Sequence, residues 1–334
     1  MNTWREQLKF DPLPRLLSSK NAAITYLTRR DLLDEDAGPV QGLWRLPEAQ
    51  KILKKQQSDG SWPRPGKSEH PAINTGLVET WRHLIILVEE FGFARDNPQV
   101  DKAAEYLFTC QTPDGDLRGM LANQYATYYT GAIMATLIQA GYQDDRRIEK
   151  GVRWLLDMRQ HDGGWSIPLI THKFDRQTQY RLTTERVAPV EPDRSRPFSH
   201  NATGMVLRAF AAHGLHRKSE AARTAAHLLS SRFFQADAYV SYHAASYWVR
   251  FFPYPFWWNN LVAALDTVSS IGMTMEDERI HRAVDWLVLH QEEDGLWRGS
   301  YAKPEDQQAL PARAVDMSEW IGLAICRVLK RLLG

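Results

Sequence analysis

His290-Gln291-Glu292-Glu293-Asp294-Gly295-Leu296-Trp297 follows directly on the helical run Ile280 to Leu289 and carries the pattern Gln, three residues, Gly, one residue, Trp. The same pattern closes an earlier run at Gln56-Gln57-Ser58-Asp59-Gly60-Ser61-Trp62. It recurs at Gln111-Thr112-Pro113-Asp114-Gly115-Asp116-Leu117 with Leu in place of Trp, and at Arg159-Gln160-His161-Asp162-Gly163-Gly164-Trp165 with the Gln shifted by one. Each copy is preceded by a helical stretch with a paired aromatic or aliphatic position: Ile52-Leu53, Tyr106-Leu107, Trp154-Leu155 and Trp286-Leu287. Repetition on this scale points to stacked units, none of which buries its own apolar face alone. The chemistry of the unit is that of a clasp. Gly past a helix end supplies the left-handed residue and Asp-Gly turns the chain. Gln bonds exposed backbone groups there, and Trp covers the joint.

Around the clasps two kinds of helix alternate. Thr75 to Val88, Thr130 to Ala140, Thr203 to Ala212, Trp258 to Ile271 and Trp320 to Leu329 are apolar nearly all round. Asp101 to Cys110, Arg146 to Met158, Ser219 to Leu229 and Glu276 to Leu289 are amphipathic. The first kind belongs inside and the second outside, with one face in water. Thr75-Gly76, Thr130-Gly131 and Thr203-Gly204 open inner helices, and Ile321-Gly322 sits similarly in the last. Gly in a helix costs about 1 kcal/mol relative to Ala, so its recurrence predicts close helix approach. With Ala22 to Leu33 counted first there are six inner helices. The expected fold is all-α, a single (α/α)6 barrel or α/α toroid over residues 21–334, after an irregular arm over 1–20 containing Pro12 and Pro14.

The Gln-x-x-x-Gly-x-Trp element with its upstream pair resembles the QW repeat of the squalene–hopene and oxidosqualene cyclases, whose superfamily also holds the β subunits of protein prenyltransferases. The resemblance covers most of the chain and implies a toroid of concentric helices. It implies a terpenoid-cyclase-like protein whose ligand is a hydrophobic, isoprenoid molecule in a central aromatic pocket, cyclised by acid-initiated carbocation chemistry.

The chain departs from that family where chemistry is concerned. The Asp-x-Asp-Asp element that supplies the family's acid is absent: Ser199-His200-Asn201-Ala202 fits its place best and has no carboxylate. Asp316-Met317-Ser318-Glu319 is the nearest acidic match, so Asp316 and Glu319 are the candidate catalytic pair, with a helix cap as their alternative role. The prenyltransferase zinc ligands are missing too, since Pro255-Phe256-Trp257-Trp258 has neither Asp nor Cys, so neither metal nor other cofactor is expected.

Composition sets the remaining bounds. The 334 residues carry 41 basic against 40 acidic side chains, leaving no general footprint for nucleic acid. Two cysteines make no disulfide framework, and no stretch is long and apolar enough to span a bilayer, so a reducing, cytoplasmic setting is expected, with peripheral membrane contact left open. Two long connections, about 166–198 and 233–255, lie at the clasp end of the barrel, which is therefore the expected mouth. Aromatics crowd there. Tyr128, Tyr242, Trp248, Phe256, Trp257 and Trp258, with His200, Asn201 and His243, are the candidate ligand-binding residues, and Arg194 and Arg196 are candidates for an anionic group. Core packing and a solvated loop are the alternative roles of these two sets. Two other functions stay open: a non-catalytic lipid- or isoprenoid-binding or protein-interaction toroid, and a carbohydrate-active (α/α)6 enzyme, which needs paired carboxylates at an open groove.

Overall fold

The computed structural model describes residues 3–64, 73–239, 243–300 and 312–334. Six helices form the inner ring: α2 (Ala22–Leu32), α4 (Thr75–Phe91), α6 (Thr127–Leu137), α9 (His200–Ala212), α11 (Leu261–Ile271) and α13 (Ala312–Leu333). Each packs against the next, and α13 returns to α2, closing the ring. Outside it lie α1 (Leu13–Leu17), α3 (Pro47–Leu53), α5 (Pro98–Thr109), α7 (Arg146–Asp157), α10 (Glu220–Ser230) and α12 (Glu278–Leu289). The fold is an all-α toroid. Its 166–198 connection carries a further helix, α8 (Arg176–Thr184), and one short strand, β1 (Met120–Asn123), precedes α6.

The clasps explain the joints. Gly60, Gly115, Gly163 and Gly295 all have positive φ, from 80° to 117°, a region that costs a side chain strain. Trp62, Trp165 and Trp297 are fully buried, and each indole N–H donates to the carbonyl ten residues earlier: Ile52 at 2.9 Å, Leu155 at 2.6 Å and Leu287 at 2.7 Å. Those carbonyls lie in the last turn of an outer helix, where only the amide three residues on reaches them and the indole adds a second bond. Gln Nε2 then ties each clasp forward along the ring. Gln56 bonds the Gln99 carbonyl, Gln111 the Arg147 carbonyl, and Gln160 the carbonyls of Asp193 and Arg196.

The inner helices meet the clasps through threonine. Thr130 Oγ1 accepts the Leu117 amide at 3.1 Å and Thr203 Oγ1 the Trp165 amide at 2.8 Å. In α4 the equivalent residue is Thr80, which accepts the Trp62 amide, and not the Thr75 suggested by its following Gly. The glycines after Thr130 and Thr203 do permit close approach: a Cβ on Gly131 would collide with Val206 of α9, and one on Gly204 with Asn259.

Three expectations change. The N-terminal segment is not irregular: Thr3–Gln7 is a 3-10 turn, and Pro14 sits in the first turn of α1, where its missing N–H costs nothing. Helices α6 and α9 begin three residues earlier than their Thr-Gly pairs, so His200 and Asn201 are helical. Helix α13 begins at Ala312, which places Asp316 and Glu319 inside it rather than at its cap.

Candidate functional site

The clasp-side opening of the ring is plugged. Residues 254–258 pack against four inner helices: Tyr254 stacks on Trp320 of α13 at 5.4 Å, and Trp257 meets Trp81 of α4 edge-on at 5.2 Å. Trp258 lies 6.1 Å from Tyr128 of α6. Arg208 of α9 donates to the Phe256 carbonyl at 2.6 Å and to the Trp258 carbonyl at 2.9 Å. Aromatic packing accounts for the first three contacts, and the last two satisfy carbonyls that no secondary structure pairs.

Beneath the plug is a cavity of about 420 Å³ lined by all six inner helices, chiefly by their C-terminal halves. This cavity opens at the inner-helix C-terminal rim, the end of the ring away from the two long loops. Phe256 and Tyr254 form the floor, and Ile85, Val88, Ala132, Ala135, Val262, Ala263 and Ala324 supply apolar wall. Charged groups interrupt it in mutually bonded sets. Arg327 bonds Asp31 at 2.6 Å, Arg331 bonds Asp266 at 2.9 Å, and Glu89 faces Arg208, Arg327 and the Tyr254 hydroxyl. The pocket is thus mixed rather than purely aromatic.

Glu89 is the carboxyl that sequence reasoning missed. Burial pushes it up to about 7, although Arg208 and Tyr254 pull the other way. The adjacent Glu90 is pushed up to about 8 by burial and by the carboxyls of Asp316 and Glu89. The available signal was the run Leu87-Val88-Glu89-Glu90-Phe91, two carboxylates near the end of a helix otherwise apolar. Attention to helix starts concealed it.

The expected binding residues divide into two groups. Tyr128, Phe256, Trp257 and Trp258 meet at the plug, but only Phe256 lines the cavity. His200, Asn201, His243 and Trp248 meet in a buried cluster beside it. His243 Nε2 lies 3.0 Å from the Asn259 carbonyl and must donate to it; its Nδ1 then accepts from His200 Nε2 at 2.7 Å. That leaves His200 Nδ1 as a bare acceptor 3.7 Å from Asp237 Oδ2, which itself accepts from Ser199 Oγ and the Asn201 amide. Trp248 packs 4.8 Å from His200. Burial, with His243 and Arg232 nearby, takes His200 down to about 2, and burial takes His243 down to about 4, so both are neutral at pH 7.

Asp316 Oδ1 accepts from Asn21 Nδ2 at 2.7 Å, and burial raises its carboxyl. Glu319 is buried, accepts from Ser19 Oγ at 2.6 Å and pairs with Arg15 at 3.3 Å. Both carboxyls thus engage the segment joining α1 to α2. Arg194 and Arg196 are exposed, and their backbone carbonyls serve the third clasp. Tyr242 lies outside the described residues. Among the described residues no cluster of three or more His, Cys, Asp or Glu side chains is placed to hold a metal ion, and no helix is long and apolar enough to cross a membrane.

Residues 73–178 match the model of the squalene-hopene cyclase C-terminal domain, the family the clasps resemble. No curated protein matches. Among solved structures, a protein from Actinoplanes is 17% identical, with 94% of this chain and 90% of that chain covered and a TM-score of 0.46. The type II terpene cyclase MstE from Scytonema is 14% identical, with 96% and 99% covered and a TM-score of 0.48. A variant of MstE in complex with geranylgeranyl dihydroxybenzoate is 14% identical over the same shares, with a TM-score of 0.46.

Proposed function

We propose that the chain is a terpenoid-cyclase-like protein that binds an isoprenoid chain in the central cavity and protonates it from Glu89. The observation that carries this is a cavity at the heart of the ring, with aliphatic patches on a mixed wall and a carboxyl poised near neutrality in its lining. A neutral carboxylic acid donates a proton to an alkene carbon. The alkene's electron pair forms the new C–H bond, a carbocation remains, and Glu89 is left as carboxylate. Tyr254 and Phe256 present rings to that cation. Loss of a proton from the cyclised cation to a base ends the sequence without net consumption of acid. Asp316 and Glu319 are a second candidate donor pair within this proposal, supported by the burial that raises Asp316.

A second function has its own support. Glu89 and Asp266 both line an open cavity, the carboxylate pairing that a carbohydrate-active (α/α)6 enzyme needs. One experiment separates the two. Wild type, Glu89→Gln and Asp316→Asn are incubated with farnesyl diphosphate, geranylgeranyl diphosphate, squalene and a panel of oligosaccharides; because cyclisation leaves the mass unchanged, products are resolved from substrate by chromatography and identified by fragmentation and NMR. A cyclised isomer of the substrate, with any diphosphate retained, from wild type and Asp316→Asn but not from Glu89→Gln is the expected result. Product lost only in Asp316→Asn moves the acid to α13. Oligosaccharide cleavage overturns the isoprenoid assignment, and isoprenoid bound but unchanged makes the protein a binding toroid.

A further inference from the structure

We infer that the cavity seats an anionic oxygen group, carboxylate or phosphoryl, against the Arg208 guanidinium. The inference goes beyond the proposed function and holds whatever carbon chain carries the anion. Arg30, Arg208, Arg327 and Arg331 line the cavity with Asp31, Glu89 and Asp266, four cations against three carboxyls. Three of the four cations are committed. Arg30 bonds Asp31 at 2.5 Å, Arg327 bonds the same carboxylate at 2.6 Å, and Arg331 bonds Asp266 at 2.9 Å. Arg208 differs. Among the described residues its hydrogen bonds go only to the neutral carbonyls of Phe256 and Trp258, and no carboxylate is within ion-pairing reach of it. Those two bonds leave three of the five guanidinium N–H groups for a ligand.

The charge of Arg208 is poorly compensated where it stands. Burial holds its guanidinium below the usual range, and the carboxyls facing it are Glu89 and Asp266. Asp266 is held by Arg331, and burial pushes Glu89 up to about 7, so Glu89 is half protonated at neutral pH. A ligand anion pairs with Arg208 and is repelled by the ionised form of Glu89. Glu89 therefore takes up a proton as the anion binds and keeps it to higher pH. Arg327 of α13, the Tyr254 hydroxyl of the plug and Asp266 of α11 also face Glu89, and Glu90 adjoins it on α4. Arg327 is fixed by Asp31 of α2, and Tyr254 keeps its proton far above neutrality. Between pH 6 and 8 the titrating carboxyls here are Glu89 and Glu90.

The test measures dissociation constants by titration calorimetry on the intact protein, with octanoate, octyl phosphate and 1-octanol, which share one chain, and with inorganic sulfate. At pH 6 the better of the two octyl anions is expected to bind at least about tenfold tighter than octanol, and it names the anion class. Sulfate binding as tightly as that anion supports the seat and makes a free oxyanion its occupant. Octanol binding as tightly as both octyl anions overturns the inference. Octanoate carries one charge throughout the range, and its affinity for wild type should fall about tenfold from pH 6 to 8. Glu89→Gln keeps Arg208 on the plug and should abolish that fall. A flat wild-type profile, or a fall that survives in Glu89→Gln, overturns the inference. Arg208→Gln should weaken octanoate at least about tenfold, and the rim variant Arg331→Gln by no more than about threefold. Equal losses in the two reduce the effect to a general positive potential and overturn the seat. Should Arg208→Gln fail to fold, the Glu89→Gln profile decides alone.

Discussion

Gln291 holds both backbone groups of Phe10: its Oε1 accepts the Phe10 amide at 3.0 Å, and its Nε2 donates to the Phe10 carbonyl at 2.8 Å. The same Nε2 bonds the Gly295 carbonyl at 2.9 Å, and Lys9 Nζ adds bonds to the carbonyls of Leu289 and Gln291. The fourth clasp thus joins the end of the helical ring to its beginning. Gln291→Ala should cost about 1–2 kcal/mol, because it deletes three bonds, two of them to the part-buried backbone of Phe10. Urea unfolding should show that loss, and amide exchange should accelerate across residues 3–17. Gln111→Ala, whose clasp lies within the ring, should leave exchange there unchanged.

The clasp tryptophans stand apart from the cavity, so stability and ligand affinity should separate. Trp297→Ala removes a fully buried indole and should cost about 3–5 kcal/mol. Trp165→Phe keeps most of the ring but deletes the indole bond to the Leu155 carbonyl, which retains the Met158 amide, for about 0.5–1.5 kcal/mol. Denaturant midpoints should fall in both, while the dissociation constant for farnesyl diphosphate stays at its wild-type value. A selective loss of affinity in a folded Trp165→Phe would place that residue at the ligand instead.

The ring was legible because its signals are local. Positive-φ glycines, a Gln at a helix end and a Trp a fixed distance on all recur within seven residues, and burial on every side separates α6 and α9 from α7 and α10. The site was not, because it is assembled across the ring. Glu89 becomes unusual only when α9, α13 and the plug surround it, and no spacing along α4 announces that. Likewise Asp237 reaches His200 from 37 positions downstream, too far for any motif to show. Looking for carboxyls at helix starts was sound for the family element, but the cavity here lies toward the helix ends.

Stability against pH should have an unusual shape. Glu90 and Glu89, at about 8 and about 7, lie above their ordinary 4.5, so the folded state holds protons the unfolded chain has released. Each therefore stabilises as pH falls through its folded value, by about 1.4 kcal/mol per pH unit down to its ordinary value. His243 and His200, at about 4 and about 2, lie below their ordinary 6.5 and act in the opposite sense: stability is lost as pH falls from 6.5 toward each folded value. The sum predicts a rise from pH 8 to 6.5, a near plateau from 6.5 to 4.5, and a fall below. Urea unfolding across that range checks it. His243→Gln removes one opposing group, so its stability relative to wild type should improve steadily between pH 6.5 and 4.5, whatever its absolute cost.

The same Glu89 titration should govern chemistry with the opposite consequence for high pH. A proton donor works only while protonated, so turnover should be full below about pH 7 and decline above it. Glu89→Gln keeps the shape and removes the proton, and turnover should drop by about 10²–10⁴-fold. Tyr254 supplies the discriminating variant. Its hydroxyl favours the ionised carboxylate, and Tyr254→Phe removes that help while keeping the ring against Trp320. The descending limb of kcat/KM should therefore move to higher pH in Tyr254→Phe, although the hydroxyl lost does not itself titrate near neutrality. A profile flat through pH 7 in wild type, or a limb that stays put in Tyr254→Phe, removes Glu89 from the donor role. Direct titration of the glutamate carboxyl by carbon-13 NMR gives the same answer without turnover.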